Sequence, residues 1–212
     1  MKFLAFTCLL IAVQACADDD PLTINGCLIA ESSQCPGADL RGARLANQDL
    51  RKMNLSGADL RGADLRHARL DLANLERARL QGANLTRASL QQSNLRLADF
   101  TGATLKAIQG WGLFAQGAQF ERADLTAAYL QFARLSGARF HDANLQAADL
   151  EMAWLSKADL KGADLRDANL QEAKLGESNL EQADLSGSRQ HYGNFQDANM
   201  QGCKGCPASW DR

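Results

Sequence analysis

The sequence predicts an all-β solenoid, a chain coiled around its own long axis, and three patterns lead to this prediction. Leucine recurs at every fifth residue from Leu40 onward, and the phase does not slip before Met200. Of the 33 positions in this series, 25 are Leu, four are Phe and one is Met. Alanine fills 25 of the 33 positions two residues earlier, and Asp or Asn fills 19 of the 33 positions in between. Repetition this regular determines the architecture before local propensity does.

A period of five excludes both ordinary elements. An α-helix advances by about 100° per residue, so successive leucines would be smeared around its surface. A strand alternates faces with period two, and an odd repeat would send every second leucine to solvent. The chain must therefore turn once per repeat, with Leu and Ala inward and the other three positions outward.

The largest core side chains indicate how many repeats close one coil. Phe100, Phe120 and Phe140 are spaced by twenty residues, which is four repeats, and several glycines share one twenty-residue phase: Gly42, Gly62, Gly82, Gly102, Gly162 and Gly202. Residues 37–202 then form about eight coils of four faces, numbered here one to four from Leu40, Leu45, Leu50 and Leu55. At a strand spacing of about 4.8 Å the rod is roughly 40 Å long.

The repeats resemble the A(D/N)Lxx motif of the pentapeptide-repeat family. Examples are ADLRG from Ala58, ADLKG from Ala158 and ADLSG from Ala183, and the resemblance covers nearly the whole chain after its first residues. It implies a right-handed quadrilateral β-helix. The handedness follows from the resemblance and not from the spacing.

Residues 1–17 have the pattern of a signal peptide. Lys2 precedes an apolar run of eleven residues, from Phe3 to Val13, which is too short for a membrane span of about 20 residues. Two processing routes remain open: cleavage after Ala17, or cleavage of a lipobox before an acylated Cys16. Both predict export to the periplasm or cell envelope, with membrane contact only through the lipid.

Each end of the rod is predicted to carry a lid. Residues 18–36 begin with an acidic leader and continue into a hairpin, because Asn25 and Gly26 separate two short apolar segments. Residues 203–212 form the second lid, in which Trp210 is expected to lie over the final coil.

The cysteines of the two lids are expected to form disulfides, as is usual in exported chains. The lids lie some 40 Å apart, whereas the Cα atoms of a disulfide must approach within about 7 Å. The predicted pairs are therefore Cys27 with Cys35 and Cys203 with Cys206.

Neither composition nor motifs indicate a reaction. The 212 residues carry 23 Lys and Arg against 25 Asp and Glu, a balance that does not favour a nucleic-acid partner. His67, His141 and His191 lie on different coils, roughly 12 to 18 Å apart along the axis, and cannot share one metal. A filled rod has no cleft, so no cofactor, metal site or enzymatic activity is predicted. The Asp and Asn column is instead assigned to turn hydrogen bonds.

Outward aromatic side chains are concentrated on one part of the predicted surface. All lie between residues 111 and 154 on the third and fourth faces, with one methionine: Trp111, Phe114, Tyr129, Phe132, Met152 and Trp154. Exposed apolar clusters often mark contact sites, and aromatic residues are enriched in binding hot spots. One hypothesis is a partner-binding patch. The alternative is local repair, since Ile108 and Leu113 interrupt the alanine column and the nearby aromatics could cover a distorted coil.

Three functions are compatible with these observations. The favoured one is a monomeric, non-enzymatic structural and protein-interaction solenoid of the bacterial cell envelope, binding an unknown protein partner through its surface. The family resemblance adds DNA mimicry directed at DNA gyrase, of the quinolone-resistance type, although the predicted signal peptide, the mixed charge and the lack of a C-terminal dimerisation helix depart from that group. A secreted effector is the third.

Overall fold

A computed structural model describes residues 22–208 and shows a right-handed quadrilateral β-helix. The chain enters through a hairpin of β1 (Thr23–Ile24) and β2 (Cys27–Leu28). From there, single-residue parallel bridges link the outward residue before each core position to the residue twenty positions later, beginning with Gln34 to Asn54 and ending with Asp184 to Lys204. This register confirms the predicted four repeats per coil. The predicted signal peptide, Cys16, the acidic leader and Trp210 lie outside the described residues.

Each repeat satisfies its backbone N–H groups in the same way, as the repeat centred on Leu40 illustrates. The amides of Leu40 and Gly42 donate to carbonyls of the following coil, Asp59 at 2.8 Å and Arg61 at 2.9 Å. The amide of Ala43 closes the turn by donating to the Leu40 carbonyl at 3.1 Å. Backbone N–H and C=O groups that are buried need hydrogen-bond partners within the fold. Here the next coil supplies these partners, so each coil is held by its neighbours.

The Asp and Asn column satisfies one further N–H in its repeat. In all 19 repeats where Asp or Asn precedes the core residue, its Oδ1 accepts a hydrogen bond from the amide two positions later. The bond from the Gln171 N–H to Asn169 Oδ1, at 3.2 Å, is typical. This is an Asx turn, in which a short polar side chain imitates the backbone. The carboxylates of the column are therefore turn acceptors.

The third residue of each turn has a left-handed backbone. Gly82 has φ of 65°, and positions of the same class hold non-glycine residues such as Ala127, with φ of 54°, and Phe132, with φ of 59°. This geometry defines a type II turn, which favours glycine at that position. Residues with a Cβ are disfavoured in this conformation. Their frequent presence shows that the hydrogen bonds on either side stabilise it.

The core consists of the leucine and alanine columns. Leu60, Leu125 and Leu160 are at most 1% exposed, as are nearly all other leucines of the column. Phe100, Phe120 and Phe140 stack along the axis with centroid separations of 5.1 and 4.8 Å and nearly parallel rings. The stack matches the twenty-residue spacing from which the coil length was predicted.

The segment in which the motif lapses remains a regular coil. Gly110 occupies a leucine position and Leu113 the following alanine position, so that the large and small residues are exchanged. A Cβ on Gly110 would lie 2.6 Å from Cδ2 of Leu113 and 2.9 Å from Cδ2 of Leu130, which shows that these two side chains fill the space that a leucine at 110 would occupy. The coil-to-coil bonds continue through this segment, including Gly110 N–H to the Tyr129 carbonyl at 2.7 Å. The aromatic residues nearby thus have no distorted coil to cover.

The N-terminal end is closed by the hairpin and a disulfide. Asn25 and Gly26 both have positive φ, as a two-residue type I′ turn requires. Cys27 is bonded to Cys35 with a Cα separation of 5.5 Å, and both are buried against the first coil.

At the other end, Cys203 is bonded to Cys206 with a Cα separation of 5.9 Å, and both pack partly on the core. Gln190 interrupts the leucine column in this last coil. Its Nε2 donates to the Gly205 carbonyl at 2.7 Å, which ties the terminal segment to the rod.

Candidate protein-interaction groove

Two adjoining depressions run along the corner between the third and fourth faces, and we refer to them together as the aromatic groove. The larger encloses about 460 Å³ and the smaller about 210 Å³, and they share Phe132. The larger is lined by Leu72, Gln92, Trp111, Gly112, Phe114, Phe132 and Arg134, the smaller by Phe132, Met152, Trp154, Glu172 and Lys174. The groove therefore extends over several coils parallel to the axis.

The third-face side of the groove is an apolar row made of Leu72, Trp111, Phe132 and Met152. The Trp111 and Phe132 rings meet at a centroid distance of 5.9 Å, tilted by 57°. Both stay close to half exposed, as does Leu72. Gly112 leaves open space in this row, because it shares the register of Leu72, Gln92 and Phe132 but has no side chain. A Cβ at Gly112 would touch only Gln92, at 3.7 Å.

The fourth-face side is a ladder of alternating rings and cations, Phe114, Arg134, Trp154 and Lys174. Arg96 extends the ladder from the turn after Leu95 by stacking on Phe114, but it lines neither depression. Arg96 and Arg134 each lie 5.1 Å from the Phe114 centroid, and Arg134 also lies 5.4 Å from that of Trp154. Nζ of Lys174 is 4.5 Å from the Trp154 ring. Parallel bridges join Phe114, Arg134, Trp154 and Lys174 in consecutive coils, which fixes their spacing. We call this series the cation–aromatic ladder.

The cations of the ladder differ from the arginines at the start of the rod. There, an arginine forks onto the carboxylate two residues before it, as Arg41 does with Asp39 at 2.7 and 2.8 Å. The Arg41 hydrogen bond lowers the pKa of Asp39 to about 2. Within residues 22–208, no carboxylate lies within 4 Å of a charged nitrogen of Arg96, Arg134 or Lys174. They stack on ring faces without a direct ion pair, although Glu172 lines the smaller depression beside Lys174.

Five of the six predicted patch residues line the groove, and the sixth does not. Tyr129 is exposed on the third face but lines neither depression. Sequence reasoning missed Leu72 and the three cations because it searched for aromatic residues. A signal was available, since 72, 112, 132 and 152 share one twenty-residue register, and 114, 134, 154 and 174 share another.

The described part of the chain has neither the clustered side chains of a metal site nor the long apolar helix of a membrane span. Residues 22–208 contain no group of three His, Cys, Asp or Glu side chains arranged to hold a metal ion. His141 lies 3.5 Å from the Asp142 carboxylate and His191 packs on Tyr192, so the histidines make separate contacts. In the same range, no helix has the length and apolar character to cross a membrane.

A rod of four-sided coils with a filled core defines a solenoid protein of the β-helix class. The model of the family called pentapeptide repeats matches residues 38–77, 78–107, 115–142, 123–162 and 163–204. The chain belongs to the pentapeptide-repeat family, whose members are generally structural or interaction proteins.

Solved structures of the same family are similar to this chain. HetL, involved in heterocyst differentiation regulation in the cyanobacterium Nostoc sp. strain PCC 7120, is 31% identical, with 82% of this chain and 83% of HetL covered and a TM-score of 0.44. A trypsin-treated variant of QnrB1, a plasmid-mediated fluoroquinolone resistance protein, is 21% identical over 76% of this chain and 86% of its own, with a TM-score of 0.48. A comparison with curated proteins gives no match.

Proposed function

We propose that this protein is a non-enzymatic, exported interaction scaffold of the bacterial cell envelope that holds a protein partner in the aromatic groove. One observation carries the proposal: Leu72, Trp111, Phe132 and Trp154 are all exposed by 44 to 51% along one corner of the rod. Contiguous apolar surface of this kind is costly to leave in water and commonly marks a contact site. Tryptophan and arginine, both present here, are the residues most enriched in binding hot spots.

The regularity of the coil beneath the groove supports this proposal over local repair. Gly110 and Leu113 exchange sizes without breaking a coil-to-coil bond, so the core needs no external cover. The absence of a side chain at Gly112 further opens the surface where the rings of Trp111 and Phe132 meet. A repair role would favour a larger residue at this position.

Site-specific photo-crosslinking in the native host tests the groove as the contact surface. A photoreactive residue replaces Gln92 in the groove, and the matched control replaces Arg87, which lies in the same coil and at the same turn position on the second face. We expect a discrete crosslinked partner from position 92 that is absent from position 87. Phe132→Ser and Gly112→Gln, which remove and fill the groove respectively, should each abolish that product. Equal crosslinking from both positions would contradict the proposal.

Export has its own test, the intact mass of the protein expressed with its natural N-terminus. A chain that starts at Asp18 in the periplasm, or at an acylated Cys16 in the membrane fraction, would agree with the proposal. An uncleaved and fully reduced chain would place the protein in the cytoplasm and would return attention to DNA gyrase.

A further inference from the structure

A partner bound in the groove can contact many side chains but few unpaired backbone groups. The amide of Gly112 already donates to the Gln131 carbonyl and that of Phe114 to the Ser93 carbonyl, both at 2.9 Å. A peptide that binds by adding a strand needs a free row of N–H and C=O groups. Since the coils use these groups themselves, recognition in this groove depends on side chains.

The two sides of the groove make different demands on an occupant. The apolar row suits an apolar or proline-rich surface, because aromatic-lined grooves are the usual docking sites of extended proline-rich segments. The cation–aromatic ladder suits carboxylates. A guanidinium stacked on a ring keeps N–H donors at its edge, and these donors match a carboxylate in bidentate geometry.

The cations of the ladder are regularly spaced along the rod. Arg134 and Lys174 are separated by two coils, which is about 9.6 Å at a strand spacing of about 4.8 Å. Arg96 belongs to a different column, so the spacing is set by Arg134 and Lys174. A polyproline II helix has three residues per turn and rises about 3.1 Å per residue, so its every third side chain points the same way at intervals of about 9.3 Å. The two spacings agree closely over the interval from Arg134 to Lys174.

We infer that the aromatic groove binds an extended acidic segment of the partner protein in the polyproline II conformation, with Asp or Glu at every third position. This inference rests on the proposed function and specifies the chemistry of its partner. The carboxylates pair with Arg134 and Lys174, while neighbouring residues of the segment lie on Trp111 and Phe132. Charge complementarity favours this occupant, because no carboxylate of residues 22–208 forms an ion pair with Arg134 or Lys174.

The test is fluorescence polarisation of labelled synthetic peptides with the purified mature protein. The probe is a Glu-Pro-Pro repeat, and the comparison peptides are a Lys-Pro-Pro repeat and a peptide of the same composition with glutamates at every second position. We expect the Glu-Pro-Pro repeat to bind at least tenfold more tightly than either comparison peptide. Its affinity should fall as salt is added, since exposed ion pairs are screened.

Charge-reversal variants locate the contact. Arg134→Glu should weaken binding at least tenfold, and Lys174→Glu provides an independent test if the first variant is unstable. The matched control is Arg44→Glu, because Arg44 holds the same position in its repeat on the second face and makes no ion pair within residues 22–208. The control should bind like the unaltered protein, and thermal unfolding monitored by circular dichroism verifies that each variant is folded.

Three results would overturn the inference: no binding of the Glu-Pro-Pro repeat, equal binding of the lysine repeat, or equal weakening by Arg44→Glu. Concentration-dependent dimerisation that Phe132→Ser abolishes would overturn it as well, by identifying a second copy of the chain as the occupant. If the peptides fail while position 92 still crosslinks to a partner, the proposed function stands and only the partner's chemistry is wrong. If both fail, the groove is not a contact surface.

Discussion

The residue at the third position of each turn illustrates how much local strain the rod accepts. About a third of the repeats place glycine there, and the others hold residues such as Arg122 or Lys157 with φ between about 50° and 65°. Left-handed backbone costs a residue with a Cβ about 1 to 2 kcal/mol. The hydrogen bonds of the flanking amides to the neighbouring coils offset this strain.

Exchanging glycine and alanine at this position should therefore change stability in opposite directions. Gly82→Ala adds a Cβ that meets no atom within 4 Å, so only backbone strain is introduced, and we expect a loss of about 1 kcal/mol. Ala127→Gly removes such strain and should raise the free energy of unfolding by about 0.5 kcal/mol. Urea unfolding measures both changes. Ala46→Gly, at the preceding turn position, is the control and should destabilise; a stabilising effect there would refute the explanation.

The paired aspartates make a second prediction at this scale. Arginine hydrogen bonds lower the pKa of Asp39, Asp49 and Asp64 to about 2, and Arg61 lowers that of Asp59. Because the folded-state pKa lies below the unfolded value of about 3.9, the stabilisation is complete above that pH and is lost as the pH falls toward 2. The unfolding temperature should decline over this window and remain nearly constant from pH 5 to 7.

Asp59→Asn separates the two roles of this column. Asn keeps the Oδ1 that accepts the Arg61 amide bond at 3.3 Å but loses the charge paired with Arg61 and Arg79. We expect a folded variant with a lower unfolding temperature at pH 7 and a shallower decline below pH 4. A variant with the same decline as the parent would show that the acid sensitivity arises elsewhere.

At the scale of the element, each coil tolerates different side-chain sizes as long as its volume is conserved. Leu113→Ala should leave a cavity and cost about 2 to 5 kcal/mol, and Gly110→Leu should overpack the core and cost about 1 to 3 kcal/mol. The double variant moves the leucine from position 113 to position 110, so its loss of stability should be smaller than the sum of the two single losses by about 1 kcal/mol or more. A double-mutant cycle from chemical denaturation measures this coupling. Additive losses would mean that Leu113 does not fill the space above Gly110.

The coil could be predicted from the sequence because its information lies in spacing. Leucine and alanine at fixed intervals determined the inward face, and Phe100, Phe120 and Phe140 gave the coil length, which the structure confirms. The groove was only partly predictable. Arg134 and Lys174 resemble ordinary solvated cations in the sequence, and their stacking on Phe114 and Trp154 depends on side-chain positions in neighbouring coils.

At the scale of the whole molecule, the twenty-residue closure should make some deletions harmless and others disruptive to the groove. Removing residues 43–62 deletes one complete coil before the groove, so the remaining chain keeps its registers. Removing residues 141–145 deletes one repeat and shifts all later residues by one face, which places Trp154 above Tyr129. Both proteins should fold by circular dichroism, but only the first should retain the position-92 crosslink. Retention by both would show that Trp154 is not required.

The quadrilateral cross-section also gives the chain a means of rearranging its surface without redesigning its interior. Because every repeat presents the same inward pair, an insertion of five residues leaves the composition of the core unchanged. It rotates all later residues by one face, a quarter of a turn, about the axis of the rod. Side chains that were aligned in a row become distributed around the rod, and side chains from separate faces become neighbours. In such a fold, the gain or loss of a single repeat can create or dissolve a binding surface in one genetic event, at little cost in stability.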